Sequence, residues 1–132
     1  MGLHTLRVYY EDTDAGGVVY YANYLKFCER ARTEWLRALG VSQHVLLTEQ
    51  HIGFVVRSVQ ADYLASARLD DTLEVRTRIE SLRRASIVFH QSVMRGDTLL
   101  FTARVLVACI DMLRHKPAAI PQSLHLSIEN HA

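Results

Sequence analysis

Four long strand-like segments follow one another between His51 and Asp111, separated only by short connections, and this run constrains the fold more than any other feature of the chain. Residues 53–63 (GFVVRSVQADY) form the first, and LASARLDD is a polar link to the second. Over residues 72–81 Leu73, Val75, Thr77 and Ile79 alternate with Glu74, Arg76, Arg78 and Glu80, the period of two expected of a half-buried strand. A third strand is predicted from about Ala85 to Met94, and Arg95-Gly96-Asp97 reads as a hairpin turn. Residues 98–111 are nearly continuous in apolar character, which predicts an interior position in the sheet. Parallel neighbours need long crossovers, so these short connections predict an antiparallel sheet.

Only one long helix is predicted, over residues 22–39. Tyr24, Phe27, Cys28, Ala31, Trp35 and Leu39 recur at spacings of three and four, one apolar stripe of an amphipathic helix. Arg30 and Glu34 stand at pairing distance on its other side, Gly40 is placed to end it, and Ser42 to cap a short helix reaching about Gln50. Residues 4–10 (HTLRVYY) read as a further strand, whereas the tail beyond Met112 is weakly patterned. The element order is therefore strand, helix, four strands: an α+β layer with one helix on a five-stranded antiparallel sheet. One helix leaves sheet surface and edges uncovered, which predicts oligomerisation.

Between the first strand and the helix lies YYEDTDAGGVVYYANY, residues 9–24. Asp12 and Asp14 precede Gly16 and Gly17, and Tyr21 stands at the approach to the helix. A carboxylate in a Gly-rich turn can attack or activate water, and unpaired N–H groups at a helix start can hold developing negative charge. For an isolated Asp-Gly turn, backbone geometry alone is the favoured explanation. A calcium loop beginning at Asp12 fails at its twelfth position, which is Asn23 where a bidentate Glu is required. An Asp-x-Asp phosphohydrolase of the haloacid dehalogenase type would need a parallel sheet, and Gly16 stands where its motif has Thr or Val.

The remaining composition narrows the function. The 132 residues suit one domain, 1–132, and a net charge of +1 does not single out nucleic acid or a membrane surface as a partner. No apolar run is long enough to span a bilayer, and the first ten residues lack the apolar core of a signal peptide, so a cytoplasmic location is expected. Cys28 and Cys109 read as buried free thiols, and the seven histidines show no metal-ligand spacing.

Residues 7–37 (RVYYEDTDAGGVVYYANYLKFCERARTEWLR) resemble the hotdog-fold acyl-CoA thioesterases of the 4-hydroxybenzoyl-CoA thioesterase class. Within that class they are similar to the bacterial thioesterases associated with the Tol–Pal envelope system. Residues 53–75 and 99–111 extend the resemblance, which runs from about Arg7 to Pro121. It implies a hotdog: a curved antiparallel sheet wrapped round the long helix, assembled as a homodimer and as a tetramer built from two dimers.

The resemblance gives Asp14 the role of catalytic carboxylate, either as nucleophile or as general base. It makes Tyr21 an oxyanion donor through its backbone N–H, although the Tol–Pal-associated relatives usually carry His there; the Tyr21 ring is equally well read as a wall of the acyl pocket. Gly17 and Val18 are expected to shape the approach. Arg83 and Arg84 match a basic pair near the CoA phosphates, a role that planar guanidinium groups suit, or else form a solvated turn. Tyr63 and Arg57 are expected to line a site shared across the dimer, while Glu11 and Asp12 are structural and Asn23 is an N-cap or turn residue. Ser66 replaces a Pro common in relatives and is expected to alter only the loop.

The implied activity is hydrolysis of acyl-CoA to the free acid and CoA, without metal or cofactor. Aryl-CoA hydrolysis is the alternative that Tyr21 favours, and a non-catalytic acyl-CoA-binding or scaffold module of the envelope system is the alternative of another class. Acyl carrier protein is a further possible carrier of the acyl group, and envelope proteins are further possible partners.

Overall fold

A computed structural model describes residues 2–131. The chain runs β1 (Gly2–Arg7), α1 (Asn23–Ala38), a short α2 (Gln43–Val45), β2 (Ile52–Tyr63), β3 (Thr72–Leu82), β4 (Ser86–Arg95), β5 (Thr98–Asp111), a two-residue β6 (Lys116–Pro117) and α3 (Gln122–His131). All strand pairs are antiparallel, in the order β1-β3-β4-β5-β2, with β6 added beside the end of β5. The five long strands and the helix have the α+β architecture expected, and β5 is an interior strand as its apolar run predicts.

The sheet curls around α1. One face of β3 (Leu73, Val75, Thr77), β4 (Ile87, Phe89, Gln91, Val93) and β5 (Phe101, Ala103, Val105, Val107, Cys109) is buried. Against it pack Tyr24, Phe27, Cys28, Ala31, Trp35 and Leu36 of α1, with the Trp35 ring edge-on to Phe89 at 5.7 Å. Burial pushes the Cys28 thiol up to about 12 and Cys109 to about 11, so both are inert packing groups. Register shifts at Val56/Ser58 in β2 and Ile79/Ser81 in β3 mark bulges that bend the sheet over the helix.

Helix α1 ends as its sequence dictates. Gly40 takes φ +86°, and the N–H groups of Gly40 and Val41 donate to the carbonyls of Arg37 and Leu36, the paired bonds of a Schellman motif. Ser42 Oγ accepts from Val45 N–H at the start of α2, which runs on as a wide turn to Gln50.

Four local expectations need correction. The first strand stops at Arg7, because Asp12 Oδ2 takes the Tyr9 N–H and the Asp12 N–H donates to Tyr9 O, folding Tyr10–Asp12 into a 3₁₀ turn. Glu34 pairs with Arg37, three residues on, instead of with Arg30. Asn23 is already inside the helix, its cap position held by Ala22. The weakly patterned tail, finally, carries a helix the sequence did not show, with Ile120, Leu124 and Ile128 buried in the core.

Candidate active site

The DTDAGG segment is a closed loop, not an open turn into the helix. The Asp14 N–H donates to Val18 O at 2.9 Å, the Gly17 N–H to Asp14 O at 3.0 Å, and Thr13 bridges Val19 across the loop. Gly17 closes it at φ +78°, in the left-handed region where a side chain would be strained. Asp14 is exposed at the tip, and its Oδ1 accepts the Gly16 N–H at 2.8 Å, the one hydrogen bond its side chain makes among the described residues. That bond fixes the carboxylate while leaving Oδ2 free. Asp14 and Gly17 line an open depression of about 570 Å³ together with Tyr10, Thr13 and Leu69. Val18 is half-buried and bridges Arg68, anchoring the loop to the segment before β3.

A buried amide ties this loop to α1. Asn23 Nδ2 donates to Asp12 O at 2.9 Å, and the Tyr20 N–H donates to the same carbonyl at 2.9 Å. The Asp12 carboxylate is turned inward to Tyr9, the structural duty its sequence position suggests. Asn23→Ala removes one of the two donors to a buried carbonyl and is expected to destabilise the protein by about 0.5–1.5 kcal/mol, read from urea unfolding followed by circular dichroism. An unchanged unfolding midpoint would mean that the loop does not depend on this bond.

At the start of α1, the N–H groups of Tyr21 and Ala22 have no backbone acceptor among the described residues. The Tyr63 hydroxyl donates to Tyr21 O at 2.9 Å, which pins this stretch of main chain. Around it stand aromatic rings in contact: Tyr63 lies edge-on to Tyr21 at 6.2 Å and to Tyr24 at 5.5 Å, and Tyr24 stacks on Phe101 at 5.1 Å. The structure thus brings Tyr21 and Tyr63 together, and links both to the Asp14 loop through Asn23.

The arginines lie elsewhere. Arg57 and Arg83 line a groove of about 390 Å³ with Arg104, near the hairpin that joins β3 to β4. Arg104 is paired with Glu80, whereas Arg57 and Arg83 make no ion pair among the described residues. Arg84 does not line this groove; it is exposed, and its carbonyl takes the Ile120 N–H. Ser66 contributes its carbonyl to Arg95, a contact that holds the loop before β3. No helix among the described residues is long and apolar enough to cross a membrane. Nor do those residues gather three or more His, Cys, Asp or Glu side chains in a metal-binding arrangement.

Sequence reasoning missed the tether from Asn23. It also missed Tyr10, Thr13 and Leu69 as walls beside Asp14, because Leu69 comes from a link read only as polar.

This geometry can be set beside known proteins. The profile of the thioesterase-like superfamily matches residues 8–127. The chain is 54% identical over 120 residues to the acyl-CoA thioester hydrolase YbgC of Escherichia coli, covering 90% of this chain and 89% of that protein. It is 51% identical over 119 residues to the acyl-CoA thioesterase YbgC of Haemophilus influenzae, covering 90% and 88%. Among solved structures, a probable thioesterase from Bartonella henselae superposes with a TM-score of 0.86 at 37% identity, covering 90% of this chain and 98% of that one. A helix wrapped by a curled antiparallel sheet, with sequence similarity running through loop, helix and strands alike, makes this chain a hotdog-fold member of the thioesterase-like superfamily.

Proposed function

We propose that this thioester hydrolase cleaves acyl-CoA to the free acid and CoA, with Asp14 as its catalytic carboxylate. The observation that carries the reading is the exposed Asp14 carboxylate, held on a loop tethered by Asn23 to a helix start where two N–H groups have no backbone acceptor among the described residues. The names of the Escherichia coli and Haemophilus influenzae relatives supply the substrate class.

In this reading the thioester carbonyl oxygen points at the Tyr21 and Ala22 N–H groups, where a helix N-terminus favours developing negative charge. Asp14 either takes a proton from an attacking water or attacks the carbonyl carbon itself. With Asp14 as base, the tetrahedral adduct collapses to the acid as the C–S bond breaks and Asp14 returns its proton to the departing sulfur. With Asp14 as nucleophile, C–S cleavage expels the CoA thiolate, which takes a proton from solvent, and a water then hydrolyses the acyl–Asp14 anhydride to the free acid and the carboxylate. Gly17 and Val18 set the width of the approach. Tyr63 holds the Tyr21 main chain through its hydroxyl, and its ring walls the acyl side. Neither step calls for a metal or a cofactor.

The assembly is a homodimer through the outer edge of β2. That edge has no partner strand among the described residues, and Val55, Val56 and Val59 along it are exposed. Antiparallel pairing of two copies of β2 places Arg57, at the middle of the strand, on the seam between them. Arg57 and Arg83 of one copy, with Arg84 at the rim, then reach the CoA phosphates of a substrate bound at the Asp14 of the second copy. A tetramer made of two dimers and a cytoplasmic location complete the reading, as does membership of the 4-hydroxybenzoyl-CoA class near its Tol–Pal-associated group. The residues 7–37 that carry the resemblance support them.

The test is thiol release from short, long and aromatic acyl-CoAs. Turnover of aliphatic thioesters is expected, and a best substrate with an aromatic acyl group would move the protein to the aryl-CoA reading. Binding of acyl-CoA without release of thiol would leave only a scaffold or binding role.

A further inference from the structure

A second cavity, of about 340 Å³, opens between α1 and β2, well along the helix from the Asp14 loop. Its floor is apolar (Phe54, Ile87, Phe89, Val107), but its α1 wall carries Arg32. Arg32 follows Tyr24 and Cys28 at successive intervals of four, so the three share one stripe of the helix. Tyr24 and Cys28 are buried against the sheet, and the stripe returns to an open cavity only at the Arg32 guanidinium.

Arg32 is half-buried and forms no ion pair among the described residues. Its one hydrogen bond among the described residues runs from Nη1 to Gln91 Oε1 at 2.9 Å. Gln91 is wholly buried and cannot turn away, because its Nε2 donates to Cys28 O at 2.9 Å and to Thr77 Oγ1 at 3.0 Å. A neutral amide therefore holds the cation in place and uses only one of its five donors. Burial pulls the Arg32 pKa below its ordinary value, opposed by the Cys28 thiol and by the Glu29 carboxylate on the cavity rim. A desolvated cation with free donors over an apolar floor is a site for an oxygen acceptor at the end of an apolar chain.

We propose that Arg32 is a specificity residue that receives an oxygen-bearing distal end of the acyl group, a hydroxyl or a carboxylate. The proposal rests on the thioesterase reading above. Nine residues separate Asn23 from Arg32, about 14 Å along the helix axis, which suits an extended acyl chain on the order of ten carbons. Val55 and Val56, which line the cavity, lie on the free edge strand. Edge pairing would set a second copy against its mouth and exclude water further.

The test compares thiol release from dodecanoyl-CoA, 12-hydroxydodecanoyl-CoA and the mono-CoA thioester of dodecanedioic acid. The oxygen-terminated substrates are expected to exceed dodecanoyl-CoA about tenfold or more in kcat/KM, and Arg32→Met is expected to abolish that preference while dodecanoyl-CoA turnover persists. The better of the two tells a hydroxyl site from a carboxylate site. Because Arg32→Met deprives Gln91 of a donor, Arg32→Lys serves as a second variant: it can still bond Gln91 but lacks the planar fork, and is expected to keep only part of the preference. Calorimetric titration of free dodecanedioic acid and 12-hydroxydodecanoic acid into wild-type and variant protein reads the subsite without turnover. Binding lost in both variants, in a protein that cleaves no thioester, would uphold the subsite and sink the catalytic reading. Equal use of all three substrates by wild type, or binding of the free acids unaffected by either substitution, would overturn the role given to Arg32.

Discussion

Asp14→Asn is expected to lower kcat for acyl-CoA hydrolysis by about a hundredfold to ten-thousandfold, with KM nearly unchanged, the range that a positioned acid–base group contributes. The substitution is a clean one. Asp14 is exposed, and its single side-chain bond, from the Gly16 N–H to Oδ1, can be accepted equally well by the Asn carbonyl oxygen. The loop closes through main-chain bonds between Asp14 and Gly17 and between Asp14 and Val18, which the change does not touch. Fold and oligomer should therefore survive, as circular dichroism and light scattering would report, so a lost rate speaks to chemistry. A loss of less than about threefold would remove Asp14 from the mechanism, since general acid–base catalysis contributes far more.

The same loop separates the two roles left to Asp14. In a single turnover in ¹⁸O-enriched water, a general base sends the heavy oxygen only into the product acid. Direct attack passes through a mixed anhydride, and water attacking its Asp14 side leaves the label in the protein. Heavy oxygen found by mass spectrometry in the peptide holding Asp14 would establish direct attack.

The legible parts of this fold were those where local chemistry and tertiary packing demand the same thing. The alternation from Leu73 to Ile79 gave the buried face of β3 because one side of that strand lies on α1 and the other on solvent. Gly40 was readable because the cap needs a positive φ. The failures are places where a distant partner decides. Asn23 looks like a cap from its neighbours alone, yet its amide is satisfied eleven residues back, at Asp12 O. Leu69 sits in a polar link and becomes a wall beside Asp14 only through the long-range bridge of Val18 with Arg68. For Arg32, a charge on a predicted helix looks like a solvated face; its partner Gln91 lies fifty-nine residues away in β4, where an apolar residue is the usual occupant. The nearness of Asp14 to the start of α1 was readable from spacing, but its catalytic role came from the family resemblance; for an isolated Asp-Gly turn, backbone geometry alone was the favoured explanation.

The tail is the largest such case, and it carries the second large effect. Within residues 122–131 only Leu124 and Ile128 turn inward, while Leu126 is half exposed, so the apolar stripe is too thin to read as a helix. Packing supplies what periodicity lacks. Pro121 opens the helix by accepting the His125 N–H, the Ile120 N–H is fastened to Arg84 O, and Ile128 is fully buried in the core with Leu124. Ile128→Ala is expected to cost about 2–5 kcal/mol, the usual range for emptying such a site. Ending the chain after Pro121 removes both anchors and uncovers the core beneath them, at about 1.5–3 kcal/mol for each side chain. Against the 5–15 kcal/mol that holds a typical domain folded, the truncated protein should lie near its unfolding threshold at ordinary temperature. Urea unfolding of wild type, Ile128→Ala and the truncated chain would measure the series, with the exposed Leu126→Ala as control. If the truncated chain matched wild type, α3 would be an appendage. The graded loss expected instead makes it the closing piece of the core at the far end of α1 from the Asp14 loop.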